Sequence, residues 1–113
     1  MPTARSLYLE RTYGLSSEEY DMLLLMQGGV CAVCFKPPKP GVHLHVEHDH
    51  TTKQIRGLVC AYDNLRVIGR RRDWQILQNA ANYLRYGATN VQNALGRVAL
   101  VPKKKKVKRG TKN

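Results

Sequence analysis

Residues 42–64 read Val42-His43-Leu44-His45-Val46-Glu47-His48-Asp49-His50-Thr51-Thr52-Lys53-Gln54-Ile55-Arg56-Gly57-Leu58-Val59-Cys60-Ala61-Tyr62-Asp63-Asn64. Val42, Leu44 and Val46 alternate with His43 and His45, so a half-buried strand is expected over 42–46. Thr51-Thr52-Lys53 makes a polar reversal, and Gln54 to Arg56 returns as a second strand. Gly57 to Cys60 then leads into a helix over 61–68, ended by Gly69. Strand, reversal, strand and helix make a ββα unit, hence an α+β fold. Glu47-His48-Asp49-His50 ends the first strand, and Asn64 sits on the helix. An acidic and histidine cluster is often only a solvated loop. In a ββα unit, however, a strand-end carboxylate and a helix-borne amide can converge on one hard cation. Mg²⁺ prefers oxygen ligands and keeps several waters, so Glu47 and Asn64 suffice if phosphate supplies the rest. Neutral imidazole at His48 could then take a proton from water.

The cysteines flank this unit. There are three, Cys31, Cys34 and Cys60, and an odd number cannot pair completely within the chain. Cys31-x-x-Cys34 followed by Cys60 suggests a tetrahedral metal site built from two knuckles, joining distant segments and offsetting a small core. The second knuckle, Cys60-Ala61-Tyr62-Asp63, carries Asp where a fourth Cys is expected. A carboxylate can bind Zn²⁺, so a Cys3Asp site is expected; the alternative is that the three are small buried hydrophobes.

Further out, residues 1–14 have helical character ending near Gly14. Ser16 and Glu19 have capping-box spacing, with Glu18, Glu19 and Asp21 in the first turns of a helix that Gly28-Gly29 stops. Tyr20, Leu23, Leu24 and Gln27 share one face and Met22, Leu25 and Met26 widen it, so burial on more than one side is expected. Asp73 caps a third helix carrying Trp74, Leu77, Ala81 and Leu84, closed by Gly87. A weaker helical stretch, Val91 to Leu100, follows. These residues read first as core or interface.

Of 113 residues, 42% are apolar, enough for one domain over 1–101 and too few for two. The net charge is +11, and residues 103–113 hold seven Lys/Arg and no acid, leaving +4 for residues 1–102. The expectation is a folded body with a basic tail over 102–113. In that tail Lys103, Lys104, Lys105 and Lys106 add salt-sensitive, sequence-independent affinity for nucleic acid. Arg70-Arg71-Arg72, beside the Asn64 helix, is well placed for phosphates. No apolar run approaches the roughly 18 residues of a membrane span, and no apolar leader stands at the N-terminus. A membrane protein, a secreted disulfide mini-protein and a multidomain enzyme are not expected.

Tyr13-Gly14-Leu15-Ser16 before an apolar helix, Gln27-Gly28-Gly29-Val30-Cys31-Ala32-Val33-Cys34, Val46-Glu47-His48-Asp49-His50 and Arg56-Gly57-Leu58-Val59-Cys60 together resemble the phage recombination endonuclease VII family, among the HNH or ββα-metal (His-Me finger) nucleases. The resemblance spans about residues 13–86. It implies a nuclease core with a zinc knuckle and flanking helices, and metal-assisted hydrolysis leaving 5′-phosphate and 3′-hydroxyl ends. Glu47, where the family usually has Asp, would bind the catalytic Mg²⁺ (or Mn²⁺) with Asn64. His48 would be the general base and His50 would contact the scissile phosphate. Cys31, Cys34 and Cys60 match structural Zn²⁺ ligands, while Asp63 departs from the family's fourth Cys. The resemblance further implies a homodimer joined by the helices after residue 73. It would act on Holliday junctions or other branched DNA, in phage recombination or packaging in the cytoplasm of an infected bacterium. The alternatives are a nicking or homing-type HNH nuclease without branch preference, and a non-catalytic zinc module that binds nucleic acid.

Overall fold

The computed structural model describes residues 2–102, and the lysine cluster 103–106 lies outside them. The chain divides into two compact units, Met1–Arg72 and Asp73–Asn113. Among the described residues no helix is long and apolar enough to cross a membrane.

The first unit opens with helix α1 (Ala4–Tyr13), whose Thr3 cap accepts from the Ser6 amide at 3.0 Å. Gly14 ends it in the left-handed conformation, with φ 69°. Helix α2 (Ser17–Met26) has the capping box expected: Ser16 Oγ accepts from the Glu19 amide at 3.1 Å, and Glu19 Oε1 accepts from the Ser16 amide at 2.9 Å. Its burial is narrower than its apolar content suggested. Tyr20 is buried, but Met22, Leu25 and Met26 are exposed, because this unit packs against one face only.

Strands β1 (His45–His48) and β2 (Ile55–Val59) pair antiparallel. Both lie further along the chain than the alternation suggested. The Val42 amide closes a turn onto the Lys39 carbonyl at 2.9 Å, so pairing begins only at His45, opposite Val59. Gly57 to Val59, expected as a lead-in to the helix, are strand. The reversal is organised by Asp49, whose Oδ1 accepts from the Thr51 and Thr52 amides at 2.8 and 2.9 Å. Residues 61–68 are helical as expected, with π-helical geometry over Asp63–Ile68.

The core comprises Leu9, Tyr20, Cys31, Leu44, Val46, Leu58 and Val59. Two polar side chains tie it together. Tyr20 Oη donates to the buried Leu44 carbonyl at 2.7 Å. The Gln27 amide nitrogen donates to the Val30 and Leu58 carbonyls at 2.9 Å, and its oxygen accepts from the Leu58 amide at 2.8 Å. Gln27 thus adds a side-chain rung to β2, and Gly57 leaves it room: a Cβ there would stand 2.9 Å from Gln27 Oε1.

Among the described residues the second unit holds one long helix, α3 (Trp74–Leu95), capped by Asp73, whose Oδ1 accepts from the Gln75 amide at 2.9 Å. It runs through Gly87 and ends at left-handed Gly96. Glycine inside a helix costs only about 1 kcal/mol, too little to stop one with good turns on both sides. The separate stretch expected over Val91–Leu100 is therefore the end of α3 followed by non-helical residues.

Candidate active site and metal centre

Glu47, His50 and Asn64 line one cleft of about 230 Å³, together with Leu65, Ile68, Gly69 and Arg72. The strand end supplies Glu47, the loop beyond it His50, and the helix after β2 supplies Asn64. The arrangement depends on a tight helix end. Gly69 approaches the Asn64 and Leu65 carbonyls so closely that a Cβ would stand 2.6 and 2.8 Å from their oxygens. His48 does not line the cleft, but its ring stacks on that of His50, with centroids 5.0 Å apart and planes 13° from parallel. The Tyr13 ring also stands near His48, tilted by 56° with centroids 6.4 Å apart. All three adjacent arginines are exposed, and of them only Arg72 lines the cleft.

Glu47 is 5% exposed, which is rare for a carboxylate without a cationic partner. Arg56 is that partner, donating from Nε to Oε1 at 2.9 Å and from Nη2 to Oε2. Neither its place at the end of the expected second strand nor its motif points to this contact; the strand register brings Arg56 here. Arg72 is the leading cause that holds His50 below the usual imidazole range, followed by burial and by His48 and Lys53. That shift favours the neutral imidazole, which offers one N–H donor and one acceptor nitrogen.

The second cluster is Cys31, Cys34, Cys60 and Asp63, whose ligand atoms all lie within 4.8 Å of one another. Asp63 Oδ2 is 3.3 Å from Cys31 Sγ and 3.2 Å from Cys60 Sγ, and Cys34 Sγ is 4.0 Å from Cys60 Sγ. A tetrahedral ion with bonds of about 2.3 Å to sulfur and about 2.0 Å to oxygen separates its ligands by about 3.5–3.8 Å. The four donors thus fit an ion such as Zn²⁺, and a carboxylate at the centre is unlike a packing of small hydrophobes. The first knuckle turns tightly enough to put Phe35 in the left-handed region, with φ 60°. Amides of Val33 and Cys60 point at Cys31 Sγ, and the Asp63 amide points at Cys60 Sγ.

These contacts set the protonation states. Burial opposes the Cys31 thiolate, but the amides of Cys34, Cys60 and Val33 outweigh it and lower its pKa. The Lys36 amide favours the Cys34 thiolate, but Asp63, burial and the other two thiols push it up to about 11. Burial leads in raising Cys60. Asp63 is lowered: burial opposes its charge, but thiol donors from all three cysteines more than offset that.

The sequence profile of the recombination endonuclease VII family matches residues 6–86. Two phage proteins are similar. The Gene 59 protein of Mycobacterium phage D29 is 41% identical over 75 residues, covering 66% of this chain and 46% of the relative. The Gene 59 protein of Mycobacterium phage L5 is 36% identical over 74 residues, covering 65% and 45%. The chain thus spans somewhat under half the length of these relatives. No solved structure matches it. The profile match runs from α1 through the cysteine cluster, both strands and the Asn64 helix into α3, and the protein belongs to the recombination endonuclease VII family.

Proposed function

We propose that this chain is an HNH-type endodeoxyribonuclease that hydrolyses phosphodiester bonds with a divalent metal, acting on Holliday junctions or other branched DNA during phage recombination or packaging in the host cytoplasm. The observation that carries the reading is the meeting of Glu47, His50 and Asn64 in one cleft, with His48 stacked on His50. The carboxylate of Glu47 and the amide oxygen of Asn64 are hard donors that suit Mg²⁺ or Mn²⁺. When bound, such an ion would neutralise charge developing on the phosphoryl and leaving oxygens.

The remaining chemistry belongs to the chain. His48 takes the proton of the attacking water, its ring stacked on His50 and close to Tyr13. His50, kept neutral beside Arg72, donates an N–H to the phosphate. Arg72 adds positive charge at the rim of the cleft, and Arg70, Arg71 and the lysines 103–106 add further phosphate contacts. Cys31, Cys34, Cys60 and Asp63 would hold Zn²⁺, which when bound would fasten the knuckle to the start of the Asn64 helix. Two copies joined through α3 would present two sites to opposing strands of one junction.

The test is incubation with a four-way junction and a matched linear duplex, with and without Mg²⁺. Mg²⁺-dependent cutting of the junction in preference to the duplex is expected. Equal cutting of both would point to a nicking or homing-type activity, and no product with either would point to a binding module. His48→Ala should abolish cleavage while leaving binding within about twofold, and cutting at near wild-type rate would remove His48 as the base.

A further inference from the structure

One strong contact in the cleft has no part in that chemistry. Both oxygens of the Glu47 carboxylate are engaged by Arg56, through Nε at 2.9 Å and through Nη2. The same guanidinium reaches Asp49 Oδ2 at 3.5 Å and the His48 carbonyl at 3.4 Å. The backbone imposes this position. Glu47 opposes Gly57 while His48 opposes Ile55, so the ladder skips Arg56, a bulge that frees its side chain to turn onto the strand-end acids. An arginine stays charged at every pH the protein meets, and Glu47, first by hydrogen bonding, holds its pKa above the ordinary value.

A divalent ion approaching Glu47 therefore meets an acid that is already neutralised. A flexible surface lysine could swing aside into water at little cost. Arg56 is held by two acids and a carbonyl, so its attraction must be overcome before Glu47 can serve a metal. We infer that Arg56 is an internal counter-cation that competes with the divalent ion for Glu47 and so sets the metal concentration at which the cleft fills. The inference rests on the assignment of Glu47 as a ligand of the catalytic ion. Asp49 joins the same pair: its carboxylate shares the guanidinium and is held in place by the Thr51 and Thr52 amides, so Arg56 has a second anchor while it faces Glu47.

The effect has a definite sign and a moderate size. Repulsion between a single and a double positive charge a few ångström apart is worth about tenfold in affinity where solvent screens the site. The Arg56 side chain is 41% exposed, so this screened regime applies.

The experiment is a Mn²⁺ titration of the full chain, followed by the electron paramagnetic resonance signal of the free ion, with the cysteine cluster first loaded with an equivalent of Zn²⁺. Wild type should bind one Mn²⁺ that Glu47→Gln loses. Arg56→Gln should bind it about tenfold more tightly. Arg56→Lys keeps the charge without the two-pronged grip, and should fall between the two. A gain in affinity cannot arise from a damaged fold. Equal or weaker binding by Arg56→Gln overturns the inference, and if that variant does not fold, binding by Arg56→Lys no tighter than wild type does so. Wild-type Mn²⁺ binding that survives Glu47→Gln overturns instead the assignment of Glu47 as the ligand.

Discussion

Arg72 and His50 show how one charge can choose the role of a neighbouring side chain. A protonated His50 beside Arg72 would place two positive charges together, so the imidazole gives up its proton at lower pH than usual. Removing the arginine charge should reverse this. In Arg72→Gln the His50 titration is expected to move to higher pH, toward the ordinary histidine range, as read from the imidazole proton resonances. An unmoved titration would show that Arg72 does not face His50 in solution.

The helix carrying Asn64 depends on its own ending. Because Gly69 sits against the Asn64 and Leu65 carbonyls, Gly69→Ala forces either the methyl or the turn to move, and the turn holds Asn64. The expected outcome is a loss of about 1–3 kcal/mol of stability by thermal or denaturant unfolding. Cleavage should fall more than junction binding does. The other end of this helix carries the cysteine cluster, where pH decides occupancy. With Cys34 raised to about 11 and Cys60 also raised, metal binding must expel thiol protons. Zinc affinity should therefore rise with pH, about tenfold per unit for each proton expelled, as measured by chelator competition between pH 6 and 8. Asp63→Cys, which restores four thiolates, should tighten zinc and steepen that dependence; an unchanged affinity would show that Asp63 is not a ligand.

The second unit raises a question that belongs to the assembled molecule. Taken by itself, α3 has no buried residue, and Trp74 and Leu84, which share a face with Leu77 and Ala81, are both more than two-thirds exposed. Apolar side chains at helical spacing on one face normally find cover. The dimer proposed above, joined by this helix, would give them that cover. Sedimentation or light scattering should report a dimer, and Leu84→Glu should shift it toward monomer with the zinc content unchanged. A monomeric wild type at micromolar concentration would remove α3 as the interface.

The caps at Ser16 and Asp73, the cysteine spacing, the reversal after Asp49 and the helix carrying Asn64 were legible in consecutive residues. Each depends on hydrogen bonds or ligand spacings that reach only a few positions along the chain. The limits of β1 were not legible, because pairing with Val59 rather than alternation decides where the strand begins. Nor was the continuation of α3 through Gly87, since one glycine costs less than the turns around it contribute. The sequence by itself singled out Glu47, His50 and Asn64, which the structure brings to one cleft, and the four donors of the cysteine cluster. Only the tertiary structure decided that Arg56 faces Glu47, that Gln27 bridges to Leu58 and that Asp63 meets three thiols, because strand register and packing join positions up to about thirty residues apart, beyond the reach of any local pattern.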